Sequence, residues 1–300
     1  MKVIEDEKII VQSLIGGQQL PFYLDCLKSL TAFSRDRIDL HLHSDGSLSK
    51  EEKDSIHSEL DGTTVTISDS DKKTSNVLDC LQGKPNCQKV REDSIWGIEF
   101  LDPVFAFLKD PISFYIDADI LFLRPFSGLF NRNKVRGGAI FLKDTQWDAY
   151  CFRPWQMLTG KKKTHAVKGI TTGLVFWDKS AIDWDYLEWF LGEHRLHQIP
   201  EWIMPTAQAG LANRCDAKTI SPRHLPNLYP NAQIHEDTFG VHLLGSYRKE
   251  WMEKLDARED NHVENSPTMV PSFERCVSQN IFGYSLRQMR RWKNTRLNLW

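Results

Sequence analysis

The sequence predicts an α/β fold with a mostly parallel central sheet flanked by helices, and two observations carry that prediction. Apolar runs with strand-like alternation take turns with stretches whose apolar residues recur at helical spacing. The first third of the 300 residues reads strand, helix, strand, helix, strand, an order that calls for crossover helices and parallel strands. The second observation is the segment FYIDADILFLRP (114–125), where Asp117 and Asp119 interrupt an apolar run. Burying a charge is costly unless something compensates it, and ligands of open α/β sheets sit just beyond the carboxyl ends of the strands.

In chain order, EKIIVQSLIGG reads as a strand closed by Gly16 and Gly17. Phe22, Leu24, Leu27, Leu30 and Phe33 then recur at helical intervals, and Ile38, Leu40 and Leu42 alternate as a strand up to a Ser-Asp-Gly turn. SKEEKDSIHSEL is a polar helix with Ser49 as its N-cap, and TTVTIS a β-branched strand. Residues 69–94 read as loops around one short helix. SIWGIEFLDPVFAFLKD is a helix ending before Pro111, and ISFYIDADILFL a single strand running out at Arg124-Pro125. GGAIFLK and TTGLVFWD are strands, SAIDWDYLEWFLGEHRLH and MPTAQAGLANRC helices, and AKTIS a short strand. Beyond about residue 222 the pattern weakens until a basic helix begins near Ser285.

Bulk properties exclude several classes. A formal net charge of −2 offers no positive field to hold nucleic acid. No stretch approaches the roughly 18 uninterrupted apolar residues of a membrane span, and MKVIEDEK lacks the apolar region of a signal peptide. The six cysteines are scattered without a CxxC pair, which reads as free thiols in a cytoplasmic protein rather than a zinc site.

Residues i and i+2 of a strand share a face, so Asp117 and Asp119 project together at the strand's carboxyl end. Two carboxylates at one point repel unless a cation sits between them, and an oxygen-liganded divalent metal meets that need. Acids capping loop or helix N–H groups are the plainer alternative.

The apolar strand with Asp-x-Asp resembles the metal-binding motif of glycosyltransferases with the GT-A fold, and further segments match in order. TTGLVFWD (171–178) resembles the family's small-residue strand beside the sugar, and MPTAQAGLANR (204–214) the helix whose acid-Gln pair borders the donor. VHLLGSYRKEW (241–251) resembles the His-x-x-Gly-x-x-Lys-Pro-Trp segment of glycogenin-like and lipopolysaccharide-type galactosyltransferases, the glycosyltransferase family 8 group. The resemblance runs over about residues 8–252.

It implies a GT-A domain over 1–252, with a nucleotide-binding half at about 8–125, a sugar and acceptor half at about 126–252, and an extension at 253–300. It implies a retaining, metal-dependent transferase using a nucleotide-diphosphate sugar, expected to be a UDP-sugar. Asp117, Asp119 and His242 become the metal ligands. Mixed carboxylate and imidazole ligation favours Mn²⁺ over Mg²⁺. For His242 a packed core histidine is the alternative. Arg248 falls where the family has a diphosphate-binding Lys, with Lys249 as the rival contact. Ser13 and Asp45 would frame base and ribose; for Asp45 a plain Asp-Gly turn is the alternative. Thr172, Gly173 and Gln208 face sugar and acceptor, and Gln208 joins Asp117 and Asp119 as a catalytic residue.

The chain departs from the family pattern at three places. Ala207 stands where the family has the acid before Gln208, Thr171-Thr172 replaces the usual residues before Gly173, and the Lys-Pro-Trp segment is not intact. The first and the last keep open a sugar-nucleotide-binding or scaffold protein without turnover, and the second bears on acceptor or sugar contacts. A sugar-nucleotidyltransferase is disfavoured because IGGQQL lacks the basic residues of a phosphate loop. A phosphatase with a nucleophilic Asp-x-Asp is disfavoured by the late position of Asp117 and by Leu121 where Thr or Ser is usual.

Two basic segments remain. GKKKTHAVKG (160–169) is a solvated loop or a lid bringing His165 or Lys168 to phosphate. SLRQMRRWKNTRLNLW (285–300) interleaves apolar and basic residues; it either docks on the domain or makes peripheral contact with anionic lipid at the inner face of a membrane. The acceptor is a carbohydrate, a lipid-linked sugar or a protein.

Overall fold

Alternation along the central strands decides what each sheet face buries. The computed structural model describes residues 8–69, 76–145, 150–159, 164–256, 267–270 and 273–297. It opens with β1 (Ile9–Ile15), α1 (Leu20–Phe33), β2 (Ile38–Ser44), α2 (Lys50–Glu59) and β3 (Val65–Asp69). These are the five predicted elements, in the predicted order. Ser49 caps α2 through a reciprocal box, with Glu52 N donating to Ser49 Oγ at 3.1 Å and Ser49 N to Glu52 Oε2 at 2.7 Å.

The stretch expected to hold one short helix instead carries α3 (Asn76–Cys80) and α4 (Pro85–Asp93). Its polarity misled because α4 is solvated on most of its surface and buries only Cys87 and Arg91. Then come α5 (Ile95–Phe105), β4 (Ile112–Ile116), β5 (Ile120–Phe122), β6 (Phe126–Ser127), α6 (Arg132–Val135), β7 (Gly138–Lys143), α7 (Gln156–Thr159), β8 (Ile170–Asp178), α8 (Trp184–Gly192), α9 (Ile203–Ala212) and β9 (Asp216–Ile220). The chain finishes with β10 (Gly240–His242), α10 (Arg248–Asp256), β11 (Thr268–Met269), β12 (Glu274–Arg275) and α11 (Ile281–Leu297). The last helix thus starts four residues before Ser285.

Among the described residues the main sheet has the order β12-β9-β7-β8-β4-β1-β2-β3. β8 and β12 run against the other six strands. Ala139, Phe141, Val175 and Trp177 point into one core, with the buried residues of α5, α8 and α9. Ile140, Leu142, Leu174 and Phe176 point into the other, with α1 and α2. This period of two sets Tyr115, and with it Asp117, on the α5 side of the sheet.

Two buried polar ties hold α5 in place. Arg91, fully buried on α4, makes a bidentate pair with Asp102 of α5 at 3.0 and 2.9 Å. Gly97 lets the helices touch, since a Cβ there would stand 2.2 Å from Val90 O. On the sheet side Gln12 Nε2 donates to Pro103 O at 2.9 Å and to Ser113 Oγ at 3.1 Å, while Gln12 Oε1 accepts from His43 Nε2 at 3.0 Å.

Burial, aided by the charges of His41 and Arg91, pushes the His43 imidazole down to about 3. The unfolded chain therefore binds a proton between about pH 6.5 and 3 that the folded chain refuses, and the stability is lost as pH falls through that window. The urea midpoint should fall between pH 7 and pH 4.5, and His43→Gln, which still donates to Gln12, should flatten that fall. Equal slopes for both proteins would count against it.

Candidate active site

The two acids do not lie in one continuous strand. β4 stops at Ile116, Asp117 to Asp119 make a turn, and β5 leaves the main sheet to pair antiparallel with β10. The expected single strand fails because its second half is claimed by this pairing: Phe122 faces Gly240, Leu121 faces Val241 and Ile120 faces His242. The turn is fixed by backbone bonds, Asp117 N to Gly173 O at 2.8 Å and Leu243 N to Asp119 O at 3.0 Å.

This register carries His242 to the acids. Its Nε2 lies 3.1 Å from Asp119 Oδ1 and 3.8 Å from Asp117 Oδ2. One ligand atom from each of Asp117, Asp119 and His242 falls within 4.8 Å of the others. The second ring nitrogen, Nδ1, meets Asn227 Oδ1 at 2.8 Å, and Asn227 Nδ2 donates to Lys143 O. That fixes the ring with Nε2 facing the acids, the usual support for a metal-ligating histidine. Asp119 Oδ1 is buried and accepts no hydrogen bond among the described residues, although His242 Nε2 is so close. Two carboxylate oxygens and an imidazole nitrogen converging at one point fit a divalent cation.

The electrostatics agree. Burial pushes the Asp117 carboxyl well above the usual range, and the charges of Glu99 and Asp119 push the same way. For Asp119 burial also acts upward, but His242 and Arg248 outweigh it and hold the carboxyl low. Burial alone would lower His242, yet the two acids raise it above the ordinary histidine value.

Arg248 opens α10 and donates to Asp119 Oδ2 at 2.8 Å; it also bonds Gln19 and lies over the Phe22 ring. Lys249 is exposed, and among the described residues no ion pair joins it to either acid. Gly173 abuts the His242 ring, where a Cβ would stand 2.5 Å from Cε1. Thr172 is half-buried. Gln208 is 2% exposed in α9, and its Oε1 is buried without a partner among the described residues. Ser13 is buried and donates its hydroxyl to Ile116 O at 2.6 Å, tying β1 to β4. Asp45 is exposed beyond β2; its Oδ1 accepts from Ser47 N at 2.8 Å, and a Cβ on Gly16 would collide with its Oδ2. Of the basic loop, residues 160–163 lie outside the described residues; His165 and Lys168 are exposed.

Three residues of this site were not singled out from the sequence. Tyr115 donates to Asp117 Oδ1 at 2.8 Å. Asn227 sits in the weakly patterned region and carries no sequence signal. Glu99 does carry one: it is an acid within the apolar helix IWGIEFLDPVF. The other acid there, Asp102, is neutralised by Arg91, which leaves Glu99 to be explained by the site. Burial pushes its carboxyl up to about 8, with the Asp119 charge adding to the shift.

A mostly parallel sheet with one reversed central strand, helices on both faces and an acidic site at its carboxyl edge is a fold that solved glycosyltransferases share, the GT-A fold. Mouse xyloside xylosyltransferase 1, in its apo form, superimposes with a TM-score of 0.55 at 13% identity, covering 78% of this chain and 97% of that one. The galactosyltransferase LgtC in complex with donor and acceptor sugar analogues also gives 0.55, at 14% identity over 85% of this chain and 98% of that one. At such identities the likeness is one of fold. No protein-family model matches the sequence, and no curated protein does.

Gly173→Ala should displace the His242 ring and weaken Mn²⁺ binding by about tenfold or more, the usual cost of disturbing a ligand's support. Calorimetric titration measures the loss, and an unchanged far-UV circular dichroism spectrum would confirm that the fold survives. Unaltered Mn²⁺ affinity would show that the ring position does not matter.

Proposed function

We propose that this protein is a metal-dependent glycosyltransferase that takes a sugar from a nucleotide-diphosphate donor, a UDP-sugar by preference, with retention of configuration. The convergence of Asp117, Asp119 and His242 at the carboxyl edge of the sheet carries this reading. Residues 1–252 would form the transferase domain and 253–300 its extension. Asp117, Asp119 and His242 would hold Mn²⁺, whose role is to neutralise charge developing on the leaving diphosphate.

The chain's own side chains do the rest. Arg248 would offer its guanidinium fork to diphosphate oxygens, with Lys249 beside it. Asp45, on the loop after β2, would accept a hydrogen bond from the nucleoside. Gly173 leaves room for the His242 ring, and Gln208 would orient the reacting sugar. The sequence offers no clear nucleophile at this site, so the leaving phosphate would direct the acceptor's attack. A nucleotide-sugar-binding protein without turnover is the second reading, favoured by Ala207.

A thermal-shift screen of nucleotide sugars with and without Mn²⁺ tests both. One donor should stabilise the protein selectively and only with metal. Asp119→Ala should abolish that shift and lower donor turnover by about 100-fold or more, because metal charge stabilisation contributes several kcal/mol. Turnover and Mn²⁺ dependence unchanged by this substitution would sink the proposal.

For the acceptor side we favour a lipid-linked sugar reached from the surface of an anionic bilayer. Along α11, Phe282, Leu286, Met289 and Trp292 are 53–80% exposed, and Trp155, which lines a groove with Met289 and Trp292, is 62% exposed. Exposed Arg290 and Lys293 accompany this stripe, while Tyr284 anchors the helix by donating to Phe152 O at 2.6 Å. No helix among the described residues is long and apolar enough to cross a membrane. Binding to vesicles containing phosphatidylglycerol should weaken with salt and fall about tenfold in the double variant Met289→Ser, Trp292→Ser. Equal binding by parent and variant would exclude this face.

A further inference from the structure

The basic segment at 160–169 has no task in the transferase chemistry, and its described end is not a free loop. Residues 166–168 pair with 277–279 of the C-terminal extension: Lys168 N donates to Val277 O at 2.9 Å and Gln279 N to Ala166 O at 2.7 Å, with an antiparallel bridge between Val167 and Ser278. Gly169 then turns the chain into β8 at a φ of 62°, where a Cβ would stand 2.8 Å from Asp144 O. The extension is thereby tied to the edge of the domain. A cavity of about 470 Å³ lies between the two, a size usual for a small-molecule site.

Four cations line this cavity, Lys143, Lys168, Arg275 and Arg287, with the acids Asp144 and Glu274. Lys143 is salt-bridged to Glu274, and Arg275 to Asp216 at 3.1 Å. Lys168 is exposed and has no ion-pair partner among the described residues. Arg287, half-buried on α11, donates to the neutral amide of buried Gln279. Asp144 accepts from Tyr229 OH with both oxygens at 3.1 Å. Positive charge is thus in excess here, Asp216 included, in a chain whose net charge is −2. Like charges gathered around a void repel, and a bound anion relieves that repulsion. An ammonium and a guanidinium fork together suit a phosphate.

The position of the cavity gives that phosphate a source. Lys143 O accepts from Asn227 Nδ2 at 3.2 Å, and Asn227 Oδ1 holds His242 Nδ1 at 2.8 Å, so a single side chain links the cavity wall to the metal triad. Another part of the wall is α11, whose Met289 and Trp292 line the groove assigned above to a bilayer. The cavity therefore lies between the reacting centre and the membrane face. A sugar joined to lipid through phosphate would place its charged link there, whereas a neutral link would leave the cations unmatched.

We propose that this cavity binds the phosphate that joins the acceptor sugar to its lipid, with Lys168 and Arg287 as the main contacts, and so selects phosphate-linked acceptors over neutral glycolipids. The proposal rests on the glycosyltransferase reading and on the lipid-linked acceptor given above.

Calorimetric titrations in EDTA, which removes metal that would draw phosphate to the triad, compare the parent with Lys168→Gln and Arg287→Gln. The probes are inorganic phosphate, the 1-phosphates of glucose, galactose and N-acetylglucosamine, and methyl glucoside. At least one hexose 1-phosphate should bind the parent about tenfold tighter than inorganic phosphate, the equivalent of one or two added hydrogen bonds to the sugar. Methyl glucoside should bind far more weakly. Each variant should weaken hexose phosphate binding by about 10-fold or more, the loss on removing a hydrogen bond to a charged group. Affinity for UDP with Mn²⁺, and for phosphatidylglycerol vesicles, should stay within about twofold of the parent. Lys168 is exposed, so its variant reports on charge even if Arg287→Gln fails to fold.

The proposal is overturned if Lys168→Gln binds hexose phosphate as the parent does. It is also overturned if no hexose phosphate binds better than inorganic phosphate, which would make this a site for free phosphate. Vesicle binding that falls as far as phosphate binding would assign the cations to lipid headgroups and overturn it too. A parent that binds UDP with metal and gives any of these results loses the phosphate site alone. A parent that binds neither UDP nor any donor with metal brings down the glycosyltransferase reading itself.

Discussion

Three antiparallel residue pairs, Ile120 with His242, Leu121 with Val241 and Phe122 with Gly240, hold the site together. They close a loop of more than a hundred residues, and the entropic cost of that closure must be met by packing. Leu121, Leu123, Val241, Leu243 and Trp251 supply it as a small separate cluster over α1. The pairing bends the chain out of the main sheet at Asp117, which turns a would-be strand interior into an exposed working edge. It also sets the histidine's height relative to the acids, because a register slip of one residue would turn His242 to the opposite face.

Once this pairing is made, the charges fall into a consistent pattern. Asp117, Asp119 and Glu99 crowd one partly desolvated place, with His242 and Arg248 as their counter-charges. Arg248 and His242 both lean on Asp119, so Asp119 stays ionised while Asp117 is driven toward its neutral form. A site that needs one more positive charge to ionise all its acids is a site prepared for a cation. The supports around it have single tasks: Asn227 orients the imidazole, Gly173 makes room for it, and Tyr115 holds Asp117.

Much of this was legible in the residue pattern. The alternation of β1, β2, β7 and β8, the helical spacing of α1 and the Ser49–Glu52 box around α2 all follow from local rules, and the elements formed where those rules put them. The acids of 117 and 119 were visible because charge in an apolar run has to be accounted for. Local rules failed where a contact distant in sequence took over. Residues 120–122 left the sheet for β10, and a polar segment became helix α4 because Arg91 found Asp102. Glu99 showed as an anomaly in an apolar helix, but its neighbour Gln208 belongs to an element that sequence order keeps far apart.

The sequence by itself therefore determined the α/β class, the order of the strands and helices through α2 and β3, and the presence of an acidic tip on a rigid apolar mount. These depend on periodicity and on the cost of burying charge, both written in short windows. Only the tertiary structure decided that the tip is a turn rather than a strand, that His242 and not another histidine meets it, and that Arg248 and not Lys249 pairs with Asp119. Those outcomes depend on strand register and helix docking across most of the chain, which no local pattern encodes.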